Sequence, residues 1–126
     1  VAIILSPTTE RQLTEAWWQW LRYKFPDVSK GTFHVPNEGK RSAVSCRILK
    51  NSGMVKGVAD FIMLWPASSY NGAVFEFKSI TGRLSPEQKL FLAHVKSCNY
   101  YTQVFRDIDT AINITSQYIL DELTRC

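Results

Sequence analysis

The sequence predicts an α/β fold, a mixed β-sheet with helices on both faces. Three observations predict it. Helical and strand-like patterns interleave in the order α-β-α-β-β-α-β-α, so helices are available to cover both sides of one sheet. Two strand-like runs, Val58–Trp65 and Ala73–Lys78, are apolar enough to be central. The chain has 126 residues, 45% of them hydrophobic and 21% charged. That is enough for one domain, too few for two ordinary ones, and not the composition of a disordered chain.

The elements follow in order. Ser6-Pro7-Thr8-Thr9 offers helix-start chemistry. The first helix is expected to run to about Phe25, where Pro26 stops it. Leu13, Trp17, Trp20 and Leu21 fall at three- and four-residue steps and form its apolar stripe. Within the tryptophan cluster, Trp18 is the member expected to be exposed, where stacking on a base competes with an ordinary packing role. Gly31–Pro36 alternates around Phe33 and Val35 and predicts a short strand. Ser42–Asn51 predicts a helix ended by Gly53. Val58–Trp65 predicts a strand buried on both faces and closed by Pro66. A turn at Ser68–Gly72 leads to a strand at Ala73–Lys78, ended by Thr81-Gly82. Ser85-Pro86-Glu87-Gln88 has Ser at a cap position, Pro in the first turn and Gln three residues after the cap. That helix is expected to reach about Cys98, with Asn99 in the left-handed closing position. Tyr100–Phe105 predicts a strand. Asp109 is expected to cap a last helix whose Ala111, Ile112, Thr115, Tyr118 and Ile119 share a face.

Charge and cysteines narrow the function classes. The net charge is +4. From Arg22 to Lys56 there are eight basic residues against Asp27 and Glu38, while Arg106–Cys126 reverses the balance with Asp107, Asp109, Asp121 and Glu122 against two arginines. A one-sided basic surface suits a phosphate backbone, although a solvated face explains the charge alone equally well. Cys46, Cys98 and Cys126 are odd in number and share no metal-ligand spacing. They predict reduced thiols and a cytoplasmic location. His34 and His94 stand alone and predict structural roles. Val1–Leu5 is too short for a signal peptide or a membrane span, and the missing initiator Met suggests a trimmed or truncated start.

The chemistry-bearing residues lie on the two apolar runs. In Ala73-Val74-Phe75-Glu76-Phe77-Lys78 alternate side chains share a face, so Phe75 and Phe77 point one way while Glu76 and Lys78 point the other. Burying those charges is costly unless they pair with each other or serve a site. Asp60 interrupts the neighbouring run, and the fifteen residues between it and Glu76 suffice for two adjacent strands and a turn. Two carboxylates and an amine then converge. Hard oxygen ligands of this kind suit Mg²⁺ or Mn²⁺. Such an ion acidifies bound water and neutralises charge on a phosphate. The first helix carries two further candidates, Glu10 and Glu15. At about 100° per residue, Glu10 lies on the side of Leu13, Trp17, Trp20 and Leu21 and is expected to face the sheet, while Glu15 lies off that stripe. Gln88 shares a face with Phe91, Leu92 and Val95, and is expected to point inward, to act as a capping-box residue, or to do both.

Asp60 followed by Glu76-Phe77-Lys78 resembles the D…(D/E)-x-K motif of the PD-(D/E)XK nucleases. Taken with Pro36-Asn37-Glu38-Gly39-Lys40-Arg41-Ser42, Leu49-Lys50, Gly53, Lys56-Gly57-Val58-Ala59-Asp60 and Gly82-Arg83-Leu84-Ser85-Pro86-Glu87-Gln88, it resembles the VRR-NUC family, the virus-type replication-repair nuclease domain. The resemblance covers nearly the whole chain, residues 1–126, as one domain and keeps the motif order. It departs where the family's proline before the aspartate is replaced by Ala59, a backbone position and not a ligand. The resemblance implies a restriction-endonuclease-like core and a structure-selective DNA endonuclease of replication or repair, found in phages and bacteria. Branched DNA is its implied substrate, a Holliday (four-way) junction or a flap, with members acting as homodimers. It implies catalytic roles for Asp60, Glu76, Lys78, Glu10 and Gln88. A Mg²⁺ or Mn²⁺ ion is then expected on Asp60, Glu76 and the Phe77 carbonyl, with Glu10 directly or through water. Asn37, Lys40, Arg41, Lys50, Lys56 and Arg83 are the expected DNA contacts. Two competitors remain: a catalytically silent nucleic-acid-binding module, and a restriction-type or RNA-directed nuclease on the same fold.

Overall fold

A computed structural model describes Pro7, residues 9–36 and residues 42–123 of the chain. The elements are α1 (Glu10–Lys24), α2 (Pro26–Ser29), β1 (Thr32–His34), α3 (Ala43–Asn51), β2 (Phe61–Met63), β3 (Gly72–Phe77), α4 (Pro86–Ser97), β4 (Tyr100–Phe105) and α5 (Ile108–Ile119). The expected order is present with one addition. Pro26 ends α1 at the Phe25 cap but also opens the single-turn α2, because a proline at a helix's first position needs no N–H partner.

The four strands form one mixed sheet in the order β1-β2-β3-β4. β2 runs antiparallel to both β1 and β3. β4 runs parallel to β3, with α4 as the crossover between them. Ala73, Phe75 and Phe77 of β3 join Phe61 and Met63 of β2 in a buried core beneath α1 and α5. Trp17 is fully buried and its ring meets Phe61, Phe75 and Phe77. Its indole Nε1 donates to Thr115 Oγ1 of α5 at 3.0 Å, so the polar edge of that buried ring is satisfied. Trp18 and Trp20 are both half-buried, packed against the core margin.

Three local expectations are corrected. β2 is only Phe61–Met63, not Val58–Trp65, and it is not buried on both faces: Ile62 is half-buried, and Leu64 and Trp65 are exposed. Its neighbour β1 has only three residues, so the ladder ends early. Pairing does continue one step before β2, where the Asp60 carbonyl accepts from Val35 N at 2.7 Å. The cap of α5 is Asp107, whose side chain accepts from Thr110 N at 2.8 Å; Asp109 lies in the first turn. That choice leaves Ala111, Thr115 and Tyr118 as the buried face of α5, with Ile114 and Ile119 beside the core and Ile112 half-buried outside it. The other helices follow their sequence signals. Thr9 and Ser85 cap α1 and α4 in capping boxes with Gln12 and Gln88, and Asn99 takes φ +67° after α4.

Candidate active site

The register of β2 and β3 builds the site. Phe61 pairs with Phe75, so one step further along the same antiparallel register Asp60 faces Glu76. The alternation that buries Phe75 and Phe77 in the core turns Glu76 to the opposite face. Lys78 extends β3 by one residue, its N–H donating to the Phe105 carbonyl at 2.9 Å.

Asp60 is tied to the strand it faces: its Oδ2 accepts the Phe77 N–H at 2.7 Å. The segment that delivers it turns at Gly57, with φ +88°. A Cβ there would stand 2.6 Å from the Glu87 backbone, so the Lys56–Asp60 segment lies against the first turn of α4. Only a glycine meets both the left-handed backbone and that close approach.

The site brings five of the expected residues together. Carboxylate oxygens of Glu10, Asp60 and Glu76 all lie within 4.8 Å of one another. The Lys78 ammonium stands 3.9 Å from Glu76 Oε1. Gln88 serves two purposes at once: its Oε1 accepts from Ser85 N at 2.8 Å in the capping box, and its Nε2 donates to Glu76 Oε1 at 3.1 Å. Glu15 is outside the cluster and is paired with Arg11 at 3.0 Å.

Electrostatically, Glu76 is the stressed member. It is 1% exposed, and its Oε2 is buried without a hydrogen-bond partner. Burial first, then the nearby Asp60 carboxylate and to a lesser degree Glu10, raise its carboxyl to about 8 against the opposing charge of Lys78. A buried carboxylate facing two others, with one oxygen unsatisfied, lacks a positive partner that the single lysine at 3.9 Å does not replace. The donor set is all hard oxygen, which fits a divalent cation such as Mg²⁺ or Mn²⁺.

Three of the expected DNA contacts lie among the described residues. Lys50 and Arg83 are exposed, and Lys56 is paired with Glu87 at 3.5 Å. Asn37, Lys40 and Arg41 lie outside the described residues. Cys46 and Cys98 are both exposed. His34, which stands alone in the sequence, is set among other rings by the fold. The β1–β2 register pairs His34 with Phe61, next to Asp60, and puts it on the wall of a cleft leading to the cluster. No sequence signal announces that pairing.

The VRR-NUC domain model matches residues 7–106. The chain belongs to the VRR-NUC family. It is thus a domain of nuclease type, and the match spans Glu10, Asp60, Glu76, Lys78 and Gln88 while ending before α5. A solved structure described as a VRR_NUC domain protein shares the fold, with a TM-score of 0.76 and 22% identity over 90% of this chain and 89% of that one. No curated protein matches the sequence. Among the described residues, no helix of this VRR-NUC domain is long and apolar enough to cross a membrane.

Proposed function

We propose that this VRR-NUC domain is a divalent-metal-dependent DNA endonuclease that hydrolyses phosphodiester bonds in branched DNA, four-way junctions or flaps, and acts as a homodimer. The observation that carries the reading is the cluster itself: three carboxylates within 4.8 Å, one of them buried with an unpartnered oxygen, beside a lysine. Asp60, Glu76 and the Phe77 carbonyl would hold Mg²⁺ or Mn²⁺, with Glu10 directly or through water. Bound there, the ion would acidify a water and neutralise charge on the phosphate.

The chain's own groups do the rest. Asp60 is fixed by the Phe77 N–H and would be one of the ion's ligands. Gln88 holds Glu76 by Oε1, which leaves the buried Oε2 available to a cation. Lys78 stabilises the charge that builds on the phosphate or orients the attacking water. Arg83, Lys50 and Lys56, with Asn37, Lys40 and Arg41, contact the DNA backbone; Lys56 must exchange Glu87 for a phosphate to do so. A two-fold symmetric junction suits a two-fold symmetric dimer, each copy cutting one strand.

The test is a cleavage panel of four-way junctions, flaps, duplex and single strands with Mg²⁺, Mn²⁺ or EDTA, alongside the mass of the protein in solution. Metal-dependent nicking of the branched substrates supports the reading. Equal cleavage in EDTA removes the metal, and preference for plain duplex removes the branched substrate.

A further inference from the structure

The cleft beside the carboxylates has walls that hydrolysis of a phosphate does not require. Arg11, Thr14, Glu15 and Trp18 line it from one side of α1, and His34 and Phe61 line it from β1 and β2, with Glu10 and Asp60 also in its lining. Its volume, about 560 Å³, is within the range of cavities that enclose small ligands. Most of the surface it exposes is apolar, although three carboxylates and a guanidinium share the lining. Phe61 fixes both other rings: Trp18 stacks on it with centroids 5.7 Å apart and planes 28° from parallel, and His34 lies 5.1 Å away. His34 is exposed and Trp18 half-buried, so both keep ring surface available.

The occupant must suit both ends. At the carboxylate end, anions are admitted only through a bridging cation. At the aromatic end, the wall offers ring surface and one mutually neutralised pair, Arg11 with Glu15. A nucleotide fits this division, because its phosphate and its uncharged, flat base are separated by one sugar. We propose that the Trp18–His34 cleft receives an unpaired base next to the phosphate that is cut, stacked against these rings. This rests on the nuclease reading and sharpens it, since it states which branched substrates the enzyme prefers. A paired base must leave its stack to enter such a cleft, which costs least when it is already unpaired or mismatched. Stacking on an aromatic side chain raises affinity by roughly tenfold per base, enough to favour a base that is already free but not to extract a paired one readily.

The experiment uses two flap substrates that differ only in whether the nucleotide beside the cut is paired, with 2-aminopurine at that position. Binding is followed with Ca²⁺ by the quenching of 2-aminopurine fluorescence that stacking causes, and cleavage is measured separately with Mn²⁺. The proposal expects quenching and tighter binding of the unpaired substrate, and about tenfold loss of that preference in Trp18→Ala. Trp18→Phe should retain much of it, and His34→Ala should reduce the quenching while the protein stays folded, because that residue is exposed. If Trp18→Ala fails to fold, His34→Ala and Trp18→Phe decide. Equal binding of the two substrates, or quenching unchanged in the folded variants, overturns the proposal even if both substrates are cleaved. Quenching without cleavage in any metal would instead overturn the nuclease reading and leave the base-binding cleft standing.

Discussion

Replacing Glu76 with glutamine should stabilise the metal-free protein, the opposite of what loss of a structural ion pair would do. The Glu76 carboxyl is raised from 4.5 to about 8 by burial and by Asp60. Between those two values the folded protein holds a proton that the unfolded chain has released. The associated stability is therefore complete below about 4.5 and is lost as pH rises to about 8. At pH 7 the gap of roughly 2.5 pH units amounts to on the order of 3 kcal/mol. Glutamine keeps the oxygen that accepts from Gln88, cannot ionise, and brings N–H donors to a space lined by carboxylates. In EDTA at pH 7, thermal unfolding should show Glu76→Gln melting higher by about 10 °C. The difference should shrink to a small fraction at pH 5. Saturating Mn²⁺ should then raise the melting temperature of the wild type and leave the variant nearly unmoved. A variant that melts lower in EDTA at pH 7 would mean that Glu76 is the stabilising partner of Lys78, and the argument for a strained, cation-seeking carboxylate would fail.

Three further outcomes are expected. Glu10→Ala should slow cleavage strongly while Glu15→Ala leaves it within a few-fold of wild type, because only Glu10 reaches the cluster; steady-state rates on a four-way junction decide, and equal effects would refute the assignment. Lys78→Ala should cut the single-turnover rate by orders of magnitude with DNA affinity nearly kept, and Lys78→Arg should restore it only in part, because a planar guanidinium on a longer stem takes a different position. A wild-type rate in the alanine variant would make Lys78 structural. Gly57→Ala should destabilise the protein by about 2 kcal/mol or more, since it combines a left-handed backbone with a clash on Glu87; chemical denaturation measures it, and an unchanged midpoint would show that the segment shifts freely.

Much of this was legible in the sequence, and the reasons differ by element. Capping chemistry is local, so Ser85, Gln88 and Asn99 marked the bounds of α4 correctly. Helical periodicity separated Glu10 from Glu15 because the phase of α1 is set by Leu13, Trp17 and Leu21, all of them buried. Strand extent was less legible. Val58–Trp65 is apolar but for Asp60, yet only Phe61–Met63 is strand, because ladder length depends on the partner and β1 is short. The choice between Asp107 and Asp109 as a cap was a matter of two residues with the same chemistry. The cleft was not legible at all: Trp18 and His34 are sixteen positions apart and meet only through Phe61, a contact that pairing of β1 with β2 creates.

Asp60 is the residue on which the central claim can be tested with least disturbance. Alanine there would orphan the buried Phe77 N–H and confuse lost chemistry with lost structure. Asparagine keeps an oxygen acceptor for that N–H and removes the charge. The decisive measurement is single-turnover cleavage of a four-way junction with Mn²⁺ by wild type and Asp60→Asn, at enzyme concentrations that saturate the DNA. The account predicts nicking by the wild type and a loss of at least a hundredfold in the variant, with the fold intact by circular dichroism. Cleavage by Asp60→Asn at the wild-type rate would contradict it.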